Sequence, residues 1–139
     1  MNDKLEQQLM DEFPFMEARN VWTGEKLNYP VSCECQDGWY DLIYNICKGI
    51  TDLYNDKNVD ISEIIVIQIK EKFGSLNIYT GGLLSEAFNI LHKYEDLSKE
   101  TCEVCGDKGE LMHQGGWYKT LCDKHGIEYK YKKFENGEI

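Results

Sequence analysis

Residues 64–80 have the sequence IIVIQIKEKFGSLNIYT, and this stretch decides the fold of the first hundred residues. Its first half is dense in β-branched residues, and its second half alternates apolar and polar side chains from Leu76 to Thr80. Both patterns are typical of β-strands. Between them, Lys70 to Ser75 form a turn region in which Gly74 can take the positive φ that a reversal needs. The stretch therefore predicts an antiparallel β-hairpin.

Amphipathic helices are predicted on both sides of this hairpin. Before it, Asp37 is a good N-cap, and apolar residues then recur at helical spacing: Trp39, Leu42, Ile43, Ile46, Cys47, Ile50 and Leu53. After it, Gly81-Gly82 ends the strand, and a second apolar stripe runs to about Lys99: Leu84, Ala87, Phe88, Leu91, Tyr94 and Leu97. Helix, hairpin and helix can close one core.

The first 37 residues carry weaker signals. Leu5, Leu9 and Phe13 lie at four-residue intervals, which predicts a short helix that Pro14 terminates. Residues 15–37 indicate a loop that includes one short strand or none.

Two matched pairs of metal-ligand residues follow the second helix. Cys102 and Cys105 have two residues between them, and so have Cys122 and His125. Sixteen residues, 106 to 121, separate the two pairs, an interval typical of paired zinc half-sites. The spacing predicts one zinc ion bound by all four side chains. His113 is an alternative fourth ligand.

The residues between the two pairs predict a second hairpin, with its turn at Gln114-Gly115-Gly116. A knuckle, a hairpin and a ligand pair that opens a short helix are typical of a treble-clef or zinc-ribbon-like module. Four protein ligands leave no open position for water, so the zinc is expected to be structural. A deaminase would need a Glu two residues after a histidine ligand, and here Glu128 comes three residues after His125. The overall prediction is an α+β fold with a core at residues 1–100 and a zinc module with a basic, aromatic tail at 101–139.

Composition limits the possible functions. The chain has 139 residues and a net charge of −10, with 15 Lys and Arg against 25 Asp and Glu, and Arg19 is its single arginine. General nucleic-acid binding is disfavoured because it needs clustered positive charge. The acidic surface serves solubility or docks on a basic protein patch. Neither a membrane span nor a secretion signal is indicated, so we expect a cytoplasmic location.

The remaining cysteines and one acid–base pair are weaker candidates. Cys33, Cys35 and Cys47 could form a second metal or redox site, but Cys47 falls on the apolar stripe of its helix and is more simply a buried hydrophobe. His92 and Glu95 share one helix face and could act as an acid–base pair, although solvated surface is the simpler interpretation.

A ligand-binding site is predicted around the first hairpin. Lys70 and Lys72 could hold an anion at the turn, although Glu71 stands between them. The alternative is an exposed charged turn whose Phe73 packs into the core. Aromatic residues could line an adjoining pocket for a flat ligand: Trp39, Tyr40, Tyr79 and Trp117. The segment 129–134 interleaves lysines with aromatics and could stack on single-stranded nucleic acid, but a terminal strand or frayed tail is the simpler account.

Four segments carry a resemblance to known proteins: 36–43, 68–76, 97–106 and 116–125. Together they resemble a set of small uncharacterised bacteriophage and prophage proteins with a C-terminal CxxC…CxxH zinc module. The resemblance covers about Gln36 to His125, and Gln36 and Ser75 stand where those proteins have glycines. It implies a phage origin.

Small phage proteins often act by occupying a host component. The expectation is a non-enzymatic antagonist of host defence that binds a host protein or sequesters a nucleotide-derived signal. The alternatives are an enzyme acting on nucleotides or nucleic acid, and a structural or regulatory zinc-ribbon adaptor. Self-association is also expected, because a two-stranded sheet leaves both edges open.

Overall fold

The computed structural model describes residues 1–135, a mixed α+β fold with four α-helices and three small sheets. The helices are α1 (Asp3–Glu12), α2 (Tyr40–Lys57), α3 (Phe88–Ser98) and α4 (Asp123–Glu128). The strands are β1 (Glu17–Arg19), β2 (Lys26–Pro30), β3 (Cys33–Glu34), β4 (Ile65–Lys72), β5 (Ser75–Gly81), β6 (Glu110–Gln114), β7 (Trp117–Leu121) and β8 (Lys132–Lys133). No helix in the described part of the chain is long and apolar enough to cross a membrane.

The predicted central hairpin is confirmed, and its strands extend closer to the turn than the sequence indicated. β4 and β5 pair antiparallel as far as Lys72 and Ser75, so only Phe73 and Gly74 form the turn. Both have positive φ, 52° and 82°, as a two-residue type I′ turn requires. Phe73 is 69% exposed, so the alternative that placed its ring in the core is wrong. The Glu71 carboxylate accepts a hydrogen bond from Gly74 N at 2.7 Å and stabilises the turn.

The premise that this sheet has two open edges is also wrong. β3 pairs parallel with β4 and gives the strand order β3-β4-β5. On the other side, α3 covers the edge of β5: Leu76 N donates to Ser98 Oγ at 2.9 Å, and Ile78 N donates to Glu95 Oε2 at 3.0 Å. Side chains of a neighbouring helix therefore satisfy strand donors that would otherwise be free to pair with another chain.

The apolar stripe of α2 faces the main core as predicted. Its buried members include Leu42, Ile43, Ile46, Cys47 and Ile50, and they share one core cluster with Ile69 of β4, Leu76 of β5 and Leu91 of α3. The predicted N-cap role of Asp37 is wrong, because a one-turn 3₁₀ helix at Asp37–Trp39 precedes α2 and has no side-chain cap. The Asp37 carboxylate instead accepts hydrogen bonds from the backbone N and side-chain Nδ2 of Asn2, each at 2.9 Å.

The N-terminal region is more ordered than its sequence indicated. The predicted helix is confirmed as α1, and its N-cap Asn2 accepts from Leu5 N at 2.9 Å. Residues 15–37 contain three short strands rather than one or none: β1 pairs antiparallel with β2, and β3 joins β4. Strands of two to five residues carry little periodicity, so their pairing depends on the partner that tertiary structure brings to them.

The C-terminal part has a small core of its own around Cys102, Met112 and Leu121. The predicted second hairpin is confirmed as β6–β7, with Gly115-Gly116 between the strands. β8 then pairs with the free edge of β6, so residues 129–134 include a short strand rather than a frayed tail.

Candidate metal centre

Two local structures bring the four predicted ligands together. The Cys102–Cys105 knuckle closes tightly, because Gly106 N donates to Cys102 O at 2.9 Å with Gly106 at a φ of 83°. Cys122 is the N-cap residue of α4, and His125 follows within the first turn of that helix. Residues three apart on a helix lie on the same side, so Cys122 and His125 face the knuckle together.

The four ligand atoms form one cluster, the Cys3His cluster, made of the sulfurs of Cys102, Cys105 and Cys122 and a ring nitrogen of His125. All lie within 4.8 Å of one another. The Sγ atoms of Cys105 and Cys122 are 3.8 Å apart, and His125 Nδ1 lies 3.7 Å from Cys102 Sγ and 3.2 Å from Cys122 Sγ. A disulfide needs sulfurs about 2.05 Å apart, so Cys105 and Cys122 are not bonded to each other, and Cys102 is also a free cysteine. The cluster could hold a metal ion, as the spacing predicted.

The electrostatics of the cluster favour a cation. Burial raises the pKa of Cys102, but hydrogen bonds from the backbone N–H groups of Cys122, Cys105 and Val104 outweigh it, so the pKa is lowered. Desolvation and then the neighbouring thiols raise the pKa of Cys105 to about 12. Three sulfurs held this close cannot all ionise unless a positive ion sits between them.

His125 faces the sulfurs through Nδ1, which leaves its other ring nitrogen for a second partner. Nε2 lies 3.9 Å from Glu128 Oε2, one turn further along α4. The ring of Tyr129 stacks on the imidazole with centroids 6.1 Å apart. A carboxylate near the distal nitrogen of a metal-bound histidine favours the tautomer in which Nδ1 is the free ligand.

The knuckle packs directly against the first turn of the α2 region. Gly38 N donates to Glu103 O at 2.8 Å, and Trp39 Nε1 donates to Thr101 O at 2.8 Å. A Cβ atom at Gly38 would overlap the Cys102 carbonyl oxygen and lie 2.5 Å from that of Glu103, so only glycine fits here. The backbone of the candidate ligand Cys102 therefore lies against the main core.

Glu103, which lies inside the knuckle, is a functional residue that the sequence analysis missed. Its side chain is 2% exposed, and its carboxylate accepts from Gln36 N at 3.1 Å and from Lys119 Nζ at 3.2 Å. Burial lowers the pKa of Lys119, but attraction to Glu103 outweighs it, so the pKa is raised. One carboxylate thus ties the knuckle to β7 and to the main core. A glutamate beside a cysteine ligand gives no local signal of this role.

A second junction lies at the turn of the β4–β5 hairpin. Thr120, fully buried on β7, donates from Oγ1 to Gly74 O at 2.7 Å. A Cβ at Gly74 would come within 2.5 Å of Leu111 Cδ1 and within 3.4 Å of the Lys119 carbonyl carbon. The hairpin turn and the C-terminal part are therefore in van der Waals contact at a position whose positive φ favours glycine.

The other candidate ligands lie outside the Cys3His cluster. Within residues 1–135, that cluster is the one group of three or more His, Cys, Asp or Glu side chains close enough to share an ion. Burial raises the pKa of Cys33, Cys35 and Cys47, that of Cys35 to about 12, so they remain neutral thiols. His113 lies outside the cluster and packs against Phe134, with ring centroids 4.5 Å apart.

Three of the five predicted ligand-binding residues share one surface. Lys70 and Lys72 point to the same face of β4, and register places Tyr79 on that face of β5, opposite Gln68. Trp39 is fully buried, and Tyr40 packs against Tyr44 with ring centroids 6.2 Å apart. The structure thus brings Lys70, Lys72 and Tyr79 together and places Trp39 and Tyr40 elsewhere.

One backbone donor at the turn is not available to an anion. Gly74 N is already bound by the Glu71 carboxylate, as described above. Lys72 Nζ lies 6.0 Å from the centroid of the Phe73 ring. A site on this face would therefore depend on the two ammonium groups and on Tyr79.

The remaining candidates are engaged in structural contacts. Glu95 binds the edge of β5, which leaves it poorly placed as an acid–base partner of His92. Lys133 forms ion pairs with Glu110 at 3.3 Å and Asp123 at 2.8 Å. Trp117, the other aromatic named for a pocket, is 74% exposed near the β6–β7 turn.

Comparisons with known proteins give no relative for this arrangement. No family model, no curated protein and no solved structure matches the chain. The resemblance to phage proteins stays a prediction, and so does the boundary at residue 100.

Proposed function

We propose that the Cys3His cluster binds one structural zinc ion in a treble-clef or zinc-ribbon-like module. The support is geometric. A tetrahedral zinc ion with Zn–S near 2.3 Å and Zn–N near 2.05 Å places two sulfurs about 3.8 Å apart and a sulfur and a nitrogen about 3.6 Å apart. The corresponding distances here are 3.8 Å for Cys105 to Cys122, and 3.7 and 3.2 Å from His125 to Cys102 and Cys122.

A structural role fits this ligand set better than a catalytic one. Three thiolates and an imidazole fill the tetrahedron, so no position is open for an activated water. Within the described residues, the hydrophobic core of the C-terminal part around the Cys3His cluster has only three buried members, Cys102, Met112 and Leu121. So small a core needs a further source of stability, and metal-binding free energy supplies it.

A matched pair of histidine variants tests the metal assignment. Purified protein should contain one zinc per chain by elemental analysis. His125→Gln should lower that content and the melting temperature, whereas His113→Gln, a change in the same module outside the cluster, should retain the zinc. Protein without stoichiometric metal, or equal loss in both variants, would contradict the proposal.

We further propose that the protein works by binding, as a non-enzymatic antagonist of a host defence protein. Its support is an exposed group of rings, the ring patch, formed by Phe73, Tyr118 and Phe134. Phe73 is 69% exposed and Tyr118 37%, with ring centroids 6.3 Å apart, and Phe134 stacks on Tyr118 at 5.8 Å. Exposed aromatics are enriched where proteins meet partners, and the net charge of −10 suits a basic partner surface.

The position of the ring patch also supports its role as a binding surface. Phe73 belongs to the main core's hairpin, whereas Tyr118 and Phe134 belong to the metal-binding part. The junction between Gly74 and Thr120 holds the two sides together beside the rings. A zinc ion that orders the module would therefore also shape the binding surface.

A second candidate is sequestration of a nucleotide-derived signal on the hairpin face that carries Lys70, Lys72 and Tyr79.

One experiment separates antagonism from sequestration. Zinc-loaded protein is incubated with extract from bacteria whose defence signalling is active, then washed and heat-denatured. Antagonism is supported if a host protein is retained by the wild type but not by the double variant Phe73→Ser, Tyr118→Ser. Sequestration is supported if intact nucleotide is recovered from the wild type but not from the double variant Lys70→Ala, Lys72→Ala. A degraded nucleotide means catalysis.

The adaptor alternative differs from antagonism in its consequence for the partner. The retained host protein should lose its activity when it is bound, if the protein is an antagonist. Full activity of the bound partner would instead indicate an adaptor.

A further inference from the structure

A polar cavity lies between the β1–β2 hairpin and β4. Its volume is 310 Å³, near the lower end of the range for small-molecule sites. Polar side chains from four segments line it: Arg19, Tyr29, Ser32, Glu34 and Gln68. Both strand pairs beside it have irregular register, between Glu17 and Arg19 and between Val66 and Gln68. Bulges of this kind re-aim side chains and occur often beside binding sites.

Arg19, the single arginine of the chain, lines this cavity, and one donor of its side chain is left without a partner. Its Nε atom is buried and has no hydrogen-bond partner. Among residues 1–135, the ion pairs involve lysines and His125, and none involves Arg19. A buried guanidinium donor without an acceptor is costly, and native proteins rarely keep one without a use for it.

Glu34 restricts the kind of ligand that the cavity can accept. Its Oε2 atom accepts from Gln68 Nε2 at 2.9 Å, and its charge lines the same cavity as the guanidinium. With the protein at −10 overall, a multiply charged anion would bind less favourably than a singly charged one. A ligand that satisfies both groups has one negative group for Arg19 and a hydrogen-bond donor for Glu34.

We propose that this cavity binds a small molecule whose carboxylate or phosphate group is held by Arg19 and whose ammonium or amide donor is held by Glu34. The planar fork of a guanidinium matches both carboxylate and phosphate oxygens, so either group would pair with the Arg19 side chain. Tyr29, which is 54% exposed, also lines the cavity. The site is separate from the Cys3His cluster and does not depend on the function proposed above.

The single arginine makes the site directly observable. In a ¹⁵N-labelled sample of the full, zinc-loaded chain, the Arg19 Nε–H correlation is the only signal of its type and needs no assignment by comparison. Three probes are titrated: inorganic phosphate, propionate, and β-alanine, which is propionate with an added ammonium group. We expect saturable shifts of this signal, with β-alanine binding tighter than propionate by roughly threefold to tenfold. The order of phosphate and propionate identifies which anionic group the site prefers.

Three variants decide the outcome. Arg19→Gln should weaken binding of every probe by roughly tenfold or more, measured by calorimetry or backbone shifts. Lys26→Gln removes an equal charge from the exposed cross-strand neighbour of Arg19 and should leave binding unchanged. Glu34→Gln should remove the preference for β-alanine over propionate and strengthen phosphate binding.

The proposal is overturned if no probe gives a saturable shift, or if Lys26→Gln weakens binding as much as Arg19→Gln. An unchanged preference for β-alanine in Glu34→Gln would overturn the role of that carboxylate. Circular dichroism of each variant checks that the fold is retained, and Glu34→Gln keeps the test decisive if Arg19→Gln unfolds.

Discussion

Replacing Gly38 with alanine should break the contact at the knuckle between the C-terminal part, residues 101–135, and the main core. The new Cβ would overlap the Cys102 carbonyl oxygen and lie 2.5 Å from the Glu103 carbonyl oxygen, both of which are backbone atoms. Backbone cannot rotate away as a flexible side chain can, so the knuckle must move. Three hydrogen bonds depend on its present position: Gly38 N to Glu103 O, Trp39 Nε1 to Thr101 O, and Gln36 N to the Glu103 carboxylate.

The expected loss of stability follows from these bonds. Two neutral hydrogen bonds contribute about 1 kcal/mol each and the bond to the carboxylate about 2 kcal/mol. Alanine restricts the unfolded chain and returns about 0.7 kcal/mol. The net loss is about 3 kcal/mol. With an unfolding entropy of about 2.1 cal/mol/K per residue, a chain of this length should melt about 10 °C lower.

The assay is urea unfolding of zinc-saturated protein, with fluorescence of Trp39 as the probe of the junction. Trp39 is fully buried, whereas Trp22 and Trp117 are 91% and 74% exposed, so a red shift reports Trp39. Gly116→Ala is the matched control, because a Cβ there meets no atom within 4 Å. The metal content should stay at one per chain in both variants. Equal free energies of unfolding for Gly38→Ala and the control would refute the reasoning.

Three further outcomes are expected. The Glu103 carboxylate raises the pKa of Lys119 above its ordinary value of 10.5. The ion pair therefore stabilises the protein below pH 10.5, and this contribution is lost as the pH rises through the folded-state pKa. The difference in unfolding free energy between wild type and Lys119→Met should shrink over that pH range. Ser98→Ala should cost about 1–3 kcal/mol by leaving Leu76 N buried without a partner, and sedimentation should show more self-association as the β5 edge opens; an unchanged sedimentation profile would count against the edge-covering role. Tyr54→Phe should cost a similar amount, about 1–3 kcal/mol in urea unfolding, because the buried Tyr54 hydroxyl accepts from Leu84 N at 2.9 Å; a neutral effect would mean that water replaces it.

The elements that sequence analysis predicted correctly are those specified by neighbours in the chain. The stripe of α2 repeats at 3.6 residues, and the first hairpin turns at a glycine with positive φ. Each ligand pair of the Cys3His cluster is contained within one turn of backbone. The errors arose where a side chain's partner is remote in sequence. Asp37 was assigned to its own helix and binds Asn2 instead, 35 residues away.

By itself, the sequence determined the α+β class, the two hairpins and the four side chains that could hold a metal ion, because periodicity and ligand spacing act within a few residues. Only the tertiary structure decided which groups meet across the chain. It placed the Glu103 carboxylate on Gln36, 67 residues away, covered the β5 edge with Ser98, and left Arg19 lining a cavity without an acceptor. Such contacts depend on how the elements pack, and a polar residue in a short strand or loop has the same local sequence whether its partner is solvent or a buried group.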